Sequence, residues 1–262
     1  MPTFNSFNEE NKVATQNTYD LTDKQSKATF LTKVFGMMFL CLLITTVVAA
    51  GLGYGIQAVL YNMTANGEDI TNLVTGLVAV LIVSLIALLV MSFVLPITFI
   101  RGKHNILVPL IIYVVLMGVM LSAFTFVFEP IILVESFGIT AIIFGVMALL
   151  GFLSKGRLAG MGTLLLGLLI GAGLLALVNF LMILMGGISE ANVTISWIVS
   201  FVVFAFLMLL TMWDVARINV IASRGMESGN NLVYYCAYIL YSDFISILIR
   251  VIYYLAIITN RK

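Results

Sequence analysis

Leu232–Ile258 is an unbroken apolar run of 27 residues that carries one acid, Asp243, near its middle and one base, Arg250, seven residues on. A helix crosses the hydrocarbon core with about 20 apolar residues at about 1.5 Å rise each, so this run is long enough to span. A charge at the centre of a bilayer costs roughly 2.5 to 3.5 kcal/mol on insertion scales. Six further apolar runs precede it, and 62% of the chain is hydrophobic against 10% charged. Soluble domains are about 45–50% apolar and about 25% charged, so the composition alone describes an integral membrane protein. Backbone in lipid must satisfy its own hydrogen bonds, and runs of this length do so as helices, not barrel strands. A net charge of +1 excludes a basic, nucleic-acid-binding character.

The expected fold class is an all-α integral membrane protein with seven transmembrane helices. The expected spans are Thr29–Gly53, Val74–Ile100, Asn105–Phe128, Pro130–Phe152, Met161–Met185, Thr194–Ile221 and Leu232–Ile258. Residues 1–28 are polar and mixed in charge, and read as a flexible cytoplasmic tail ahead of a membrane domain over 29–262. Pro130 suits a first helical turn, and Pro96 lies inside the second span, where a kink is expected. Cys41 and Cys236 both fall in apolar runs and read as free buried thiols. Gly167 and Gly171 on the fifth span form a small-xxx-small pair that permits close helix contact.

Basic residues set the expected orientation. Lys12, Lys24, Lys27 and Lys33 flank the first span; Arg101 and Lys103 follow the second; Lys155 and Arg157 follow the fourth; Arg217 and Arg224 lie at the end of the sixth. The other loops carry acids, Glu68, Asp69, Glu129 and Glu190, and no Lys or Arg. The positive-inside rule places the N-terminus in the cytoplasm and, after seven spans, the C-terminus outside, although Arg261 and Lys262 sit there against the rule.

The remaining polar residues within spans are the candidate site. Asp214 lies toward the cytoplasmic end of the sixth span and Asp243 on the seventh, which is antiparallel to it. Two carboxyls that meet in a low-dielectric site do not both ionise cheaply, so they share a proton, and that is the basis of a proton-sensitive latch. The alternative is that each acid pairs with a neighbouring arginine. Arg217 is three residues after Asp214 on the same face, Arg101 closes the second span, and Arg250 is roughly 10 Å along the helix from Asp243, too far for contact. Glu135, near the outer end of the fourth span, is the acid available to Arg250, and Glu135 and Ser246 are candidate pore-lining polar groups. Carboxylate oxygens of Asp214, Asp243 and Glu135 suit transient binding of a hard cation. His104 is the single histidine, and the sequence holds no HExxH, GxSxG or Walker motif, so neither an enzyme nor a resident cofactor is expected.

Four of these segments carry a family resemblance. LYSDFISILIR, from Leu240, resembles the last-helix signature of the transmembrane Bax inhibitor motif family. Trp213, Asp214 and Ile218 are similar to its sixth-helix pattern, VESFGITAIIFGVMALLGF from Val134 resembles its fourth helix, and Arg101 in FIRGK matches a basic residue of bacterial members. The resemblance covers about residues 28 to 258. It implies six helices wrapped around a central seventh and a pH-sensitive calcium leak in a bacterial plasma membrane. In it Asp214 and Asp243 form a dyad that Arg101 engages in the closed form, and calcium is the permeant ion. Other members imply a different class of function, a non-transporting regulator that binds a membrane protease or another partner. Arg217, Arg250 and Ser246 depart from the residues usual at those positions.

Overall fold

The structure is a computed structural model, and it describes residues 18–19, 24–67, 69–101, 105–154, 190–223 and 228–259, with scattered positions between 162 and 181. Its elements are β1 (Thr18–Tyr19), α1 (Lys24–Ala65), α2 (Thr71–Arg101), α3 (Leu107–Ser122), a single turn α4 (Phe124–Val127), α5 (Pro130–Leu153), α6 (Glu190–Ser223), β2 (Ser228–Gly229) and α7 (Asn230–Thr259). Among the described residues, 6 helices are long and apolar enough to cross a membrane. The expected fifth span lies largely outside the described residues, although Gly167 and Gly171 are described, and a Cβ on either would meet nothing within 4 Å. Lys12, Lys103, His104, Lys155, Arg157, Arg224, Arg261 and Lys262 also lie outside the described residues.

The helices outrun the apolar runs that nucleate them. α1 begins at Lys24, inside the expected tail, and continues to Ala65, well beyond the expected Gly53. No proline interrupts it, and once a helix is nucleated each added residue gains a hydrogen bond. It stops where Gly67 adopts φ +72°, with the Asn66 N–H donating to Asn62 O at 3.1 Å and the Gly67 N–H to Thr64 O at 3.2 Å. A left-handed glycine that caps the last carbonyls is a standard helix stop. α2 then starts from an Asx turn, in which the Thr71 N–H donates to Asp69 Oδ1 at 2.9 Å. It runs through Pro96 to Arg101 without a break. The tail also differs from expectation nearer its end: Thr18 and Tyr19 pair antiparallel with Gly229 and Ser228, ahead of α7.

The chain divides into two compact units. One comprises residues 1–133 and 222–241, the other 134–221 and 242–262, so α7 gives its first half to one and its second half to the other. In the first unit α3 packs against both α1 and α2. Gly118 makes this possible, because a Cβ there would stand 2.7 Å from Val48 Cβ. Gly53 faces Thr125 in the same way, and the Gln57 amide donates to the Thr125 carbonyl. The first half of α7 is fixed in this unit by hydroxyls and rings. Thr45 on α1 shares a 2.6 Å hydrogen bond with the Tyr241 hydroxyl and also donates to Val114 O at 3.3 Å. Tyr113 meets Tyr238 and Tyr241 edge-on at 5.1 and 6.1 Å, and Phe99 stacks on Tyr235 at 4.1 Å. Asn231 Oδ1 accepts the Ile106 N–H at 3.3 Å, tying the start of α7 to the start of α3. Cys41 and Cys236 are both free and buried.

α7 is the most enclosed of the six spanning helices, with 44% of its apolar window buried against 11% for α2. The apolar side chains that α2 exposes, among them Val78, Ile82, Leu85 and Leu89, suit a surface facing acyl chains.

Two consequences are measurable. Gly118→Val is expected to lower the apparent melting temperature in detergent, since overpacking costs about 1–3 kcal/mol. Gly36→Ala, where a Cβ meets nothing within 4 Å, is expected to leave it unchanged or raise it. Hydrogen bonds from the Thr71 side chain and backbone hold the Asp69 carboxyl below its ordinary range. That contribution to the first turn of α2 is present above the ordinary carboxylate range and is lost as pH falls through the lowered value. Amide exchange of that turn, corrected for intrinsic rates, should therefore show acid-induced opening in wild type that Asp69→Asn abolishes.

Candidate functional site

The second unit holds both aspartates. Asp214 comes from α6 and Asp243 from the second half of α7, and their carboxyls lie within hydrogen-bonding reach of each other. Both are buried, at 7% and 8% exposure. This is the pairing that helix spacing alone left open. Oδ2 of Asp243 is fully enclosed and has no donor among the described residues. Two ionised carboxylates offer each other no donor; one proton placed between them turns the close approach into a hydrogen bond.

Small and aromatic residues bring the helices to this distance. Gly151 on α5 lies against α6 beside Asp214, where a Cβ would stand 2.6 Å from Met212 O and 2.9 Å from Val215 Cβ. A Cβ on Gly162 would lie 3.0 Å from the Trp213 ring. On α5, Phe137 and Phe144 meet the ring of Phe244, next to Asp243, at 5.3 and 5.6 Å. Between those two rings, on the same face of α5, the Thr140 hydroxyl is fully buried and has no hydrogen-bond partner among the described residues. Sequence reasoning missed Gly151 and Thr140. A lone glycine or threonine in an apolar helix carries no signal of what it touches.

The other expected site residues are placed differently from one another. Arg217 is exposed on α6, with its guanidinium 5.4 Å from the Trp213 ring centre, close enough to Asp214 for the two charges to interact. Arg101 is the exposed last residue of α2, in the first unit. Arg250 meets a hydroxyl, not the expected Glu135: its Nη1 donates to Ser200 Oγ on α6 at 3.2 Å, and Ser200 shares a 2.9 Å hydrogen bond with the Tyr254 hydroxyl. Glu135 is exposed on α5 and pairs with no base among the described residues. Among those residues no group of three His, Cys, Asp or Glu side chains is gathered to hold a metal, so Glu135 does not join the two aspartates as a third ligand. Ser246 is back-bonded to Ser242 O at 2.8 Å, one turn earlier, so its hydroxyl is occupied by its own helix.

The geometry can therefore exchange a proton between two helices. It can also, once both carboxyls are ionised, present two negative charges to a cation. A double-mutant cycle tests the contact. Asp214→Asn and Asp243→Asn should change thermal stability non-additively, with a coupling of about 0.5–3 kcal/mol; additive effects would show that the two carboxyls act independently.

The chain is similar to known proteins over most of its length. A family model described as "Inhibitor of apoptosis-promoting Bax1" matches residues 27–260. The inner membrane protein YbhL of Escherichia coli strain K12 is 29% identical over 238 residues, which cover 89% of this chain and 92% of that protein. The protein of the same name from Escherichia coli O6:H1 matches to the same extent.

Proposed function

The chain belongs to the family described as "Inhibitor of apoptosis-promoting Bax1", and on that premise we propose that it is a pH-sensitive, calcium-permeable leak of a bacterial inner membrane. The observation that carries the reading is the pair Asp214–Asp243, buried across two helices with Oδ2 of Asp243 lacking a donor. A shared proton ties α6 to α7. Loss of that proton as pH rises leaves two like charges in contact at low dielectric, which drives the helices apart. The same step creates the oxygen-rich, negative site that a hard cation prefers. Proton loss therefore opens and attracts together, and calcium is cargo, not a resident cofactor.

Six helices wrapped around α7 would make this helix the moving part, in keeping with its high burial. Arg101 would act as the counter-ion of one state, and Arg217 would bias the pair by its charge beside Asp214. The membrane assignment follows from the six apolar helices and from the inner-membrane relatives.

The test is calcium flux into liposomes that contain the purified protein, measured from about pH 6 to about pH 8. Wild-type flux is expected to rise severalfold with pH, and Asp243→Asn to lose that dependence. Flux that is absent from folded protein at every pH would overturn the leak. It would favour a non-transporting regulator that binds a membrane protease or another partner.

A further inference from the structure

One base inside a span, Arg250, has no acid partner among the described residues. Arg250 lies nine residues before the end of α7, half-buried, and donates to Ser200 alone among the described residues. A guanidinium carries five N–H donors in a planar fork, so most of its donors and its charge have no partner among the described residues. A buried or half-buried base in lipid surroundings calls for an anion.

The depth of the site says which anion reaches it. α7 has 30 residues and α6 has 34. At about 1.5 Å per residue they are about 45 and 51 Å long, against a hydrocarbon core of about 30 Å. Centred helices then overhang the core by roughly 7 and 10 Å at each end. Trp197, seven residues into α6, and Tyr253 and Tyr254, five to six residues from the end of α7, fall at that boundary. Trp197 stacks on Tyr254 at 6.2 Å, and Tyr253 lies 5.9 Å from Tyr254, which forms the aromatic belt expected at headgroup level. Arg250 lies about one turn deeper, within reach of the same level through its own side chain. Ordinary snorkelling would leave the guanidinium free in the headgroups. Here it is tethered to Ser200, and Ser200 in turn to the Tyr254 hydroxyl, so a fork and an aromatic wall are already in place.

We propose that Arg250, Ser200 and Tyr254, walled by Trp197, bind a phosphate group at the membrane boundary, presented by an anionic phospholipid of the leaflet facing the Thr259 end of α7. Arg–phosphate pairing in two parallel hydrogen bonds supplies the recognition. The site is distinct from the aspartate pair, and its test does not depend on calcium flux.

The chain has two tryptophans, so Trp213→Phe leaves Trp197 as the reporter. In maltoside micelles, quenching of Trp197 by brominated phosphatidylglycerol is compared with quenching by brominated diacylglycerol, which lacks the phosphate. A preference of about fivefold for the phospholipid is expected, the size of the effect of one interfacial base. Arg250→Gln should abolish the preference. Should that variant fail to fold, Arg250→Lys, which keeps the charge but loses the fork, should lose at least half of it. Excess inorganic phosphate that leaves the preference intact identifies the lipid as the source. Inorganic phosphate that displaces the lipid and itself alters Trp197 emission identifies the free anion. Equal quenching by the two lipids in wild type, with no response to inorganic phosphate, would overturn the proposal.

Discussion

Two carboxyls buried face to face between apolar helices are the constraint on which the second unit depends. Both carboxyls are buried, Oδ2 of Asp243 has no donor among the described residues, and in the ionised state neither carboxylate gives the other a donor. Such a contact persists only if the helices are held at a set distance and a proton is available to bridge it. Gly151 removes the side chain that would otherwise push α5 from α6 beside Asp214. Phe137 and Phe144 close on Phe244 next to Asp243. The packing is thus arranged around a polar event, and the apolar residues set its geometry.

α7 contributes its first half to one unit and its second half to the other. Tyr241, two residues before Asp243, is anchored to Thr45 by a short hydroxyl pair. Tyr113, Tyr235 and Tyr238 add ring contacts along the same half of the helix. The half that carries Asp243, Ser246 and Arg250 is held by different ties: the contact of Asp243 with Asp214, a back-bond within the helix at Ser246, and the links of Arg250 and Tyr254 to Ser200. On the proposed reading, a helix fixed at one half and held by a titratable contact in the other is a two-state element that one proton can bias.

Much of this was legible in the sequence because lipid makes errors costly. Apolar runs announce spans, six of which are helices of spanning length among the described residues, and an acid within a run stands out against its neighbours, so Asp214 and Asp243 were visible as candidates. Their meeting was not, because counting residues from a helix end fixes depth to a few ångströms and rotation hardly at all. The partner of Arg250 was hidden for another reason. Charge suggested Glu135, while the structure supplies the hydroxyls of Ser200 and Tyr254, neutral groups that apolar helices accommodate without trace in composition. Helix ends were underestimated at α1 because hydropathy reports where lipid begins, whereas the helix continues until Gly67 turns it.

On the proposed reading, Asp214 and Asp243 hold one proton between them. Carbon-13 labelling of aspartate carboxyls, with solid-state NMR of the protein in bilayers across pH, reads this directly once each resonance is assigned by Asp214→Asn and Asp243→Asn. The account predicts that both carboxyls respond in the same two steps, and that removing either residue collapses the other to a single step. Two carboxyls that each titrate once, at a midpoint indifferent to loss of the other, would contradict it.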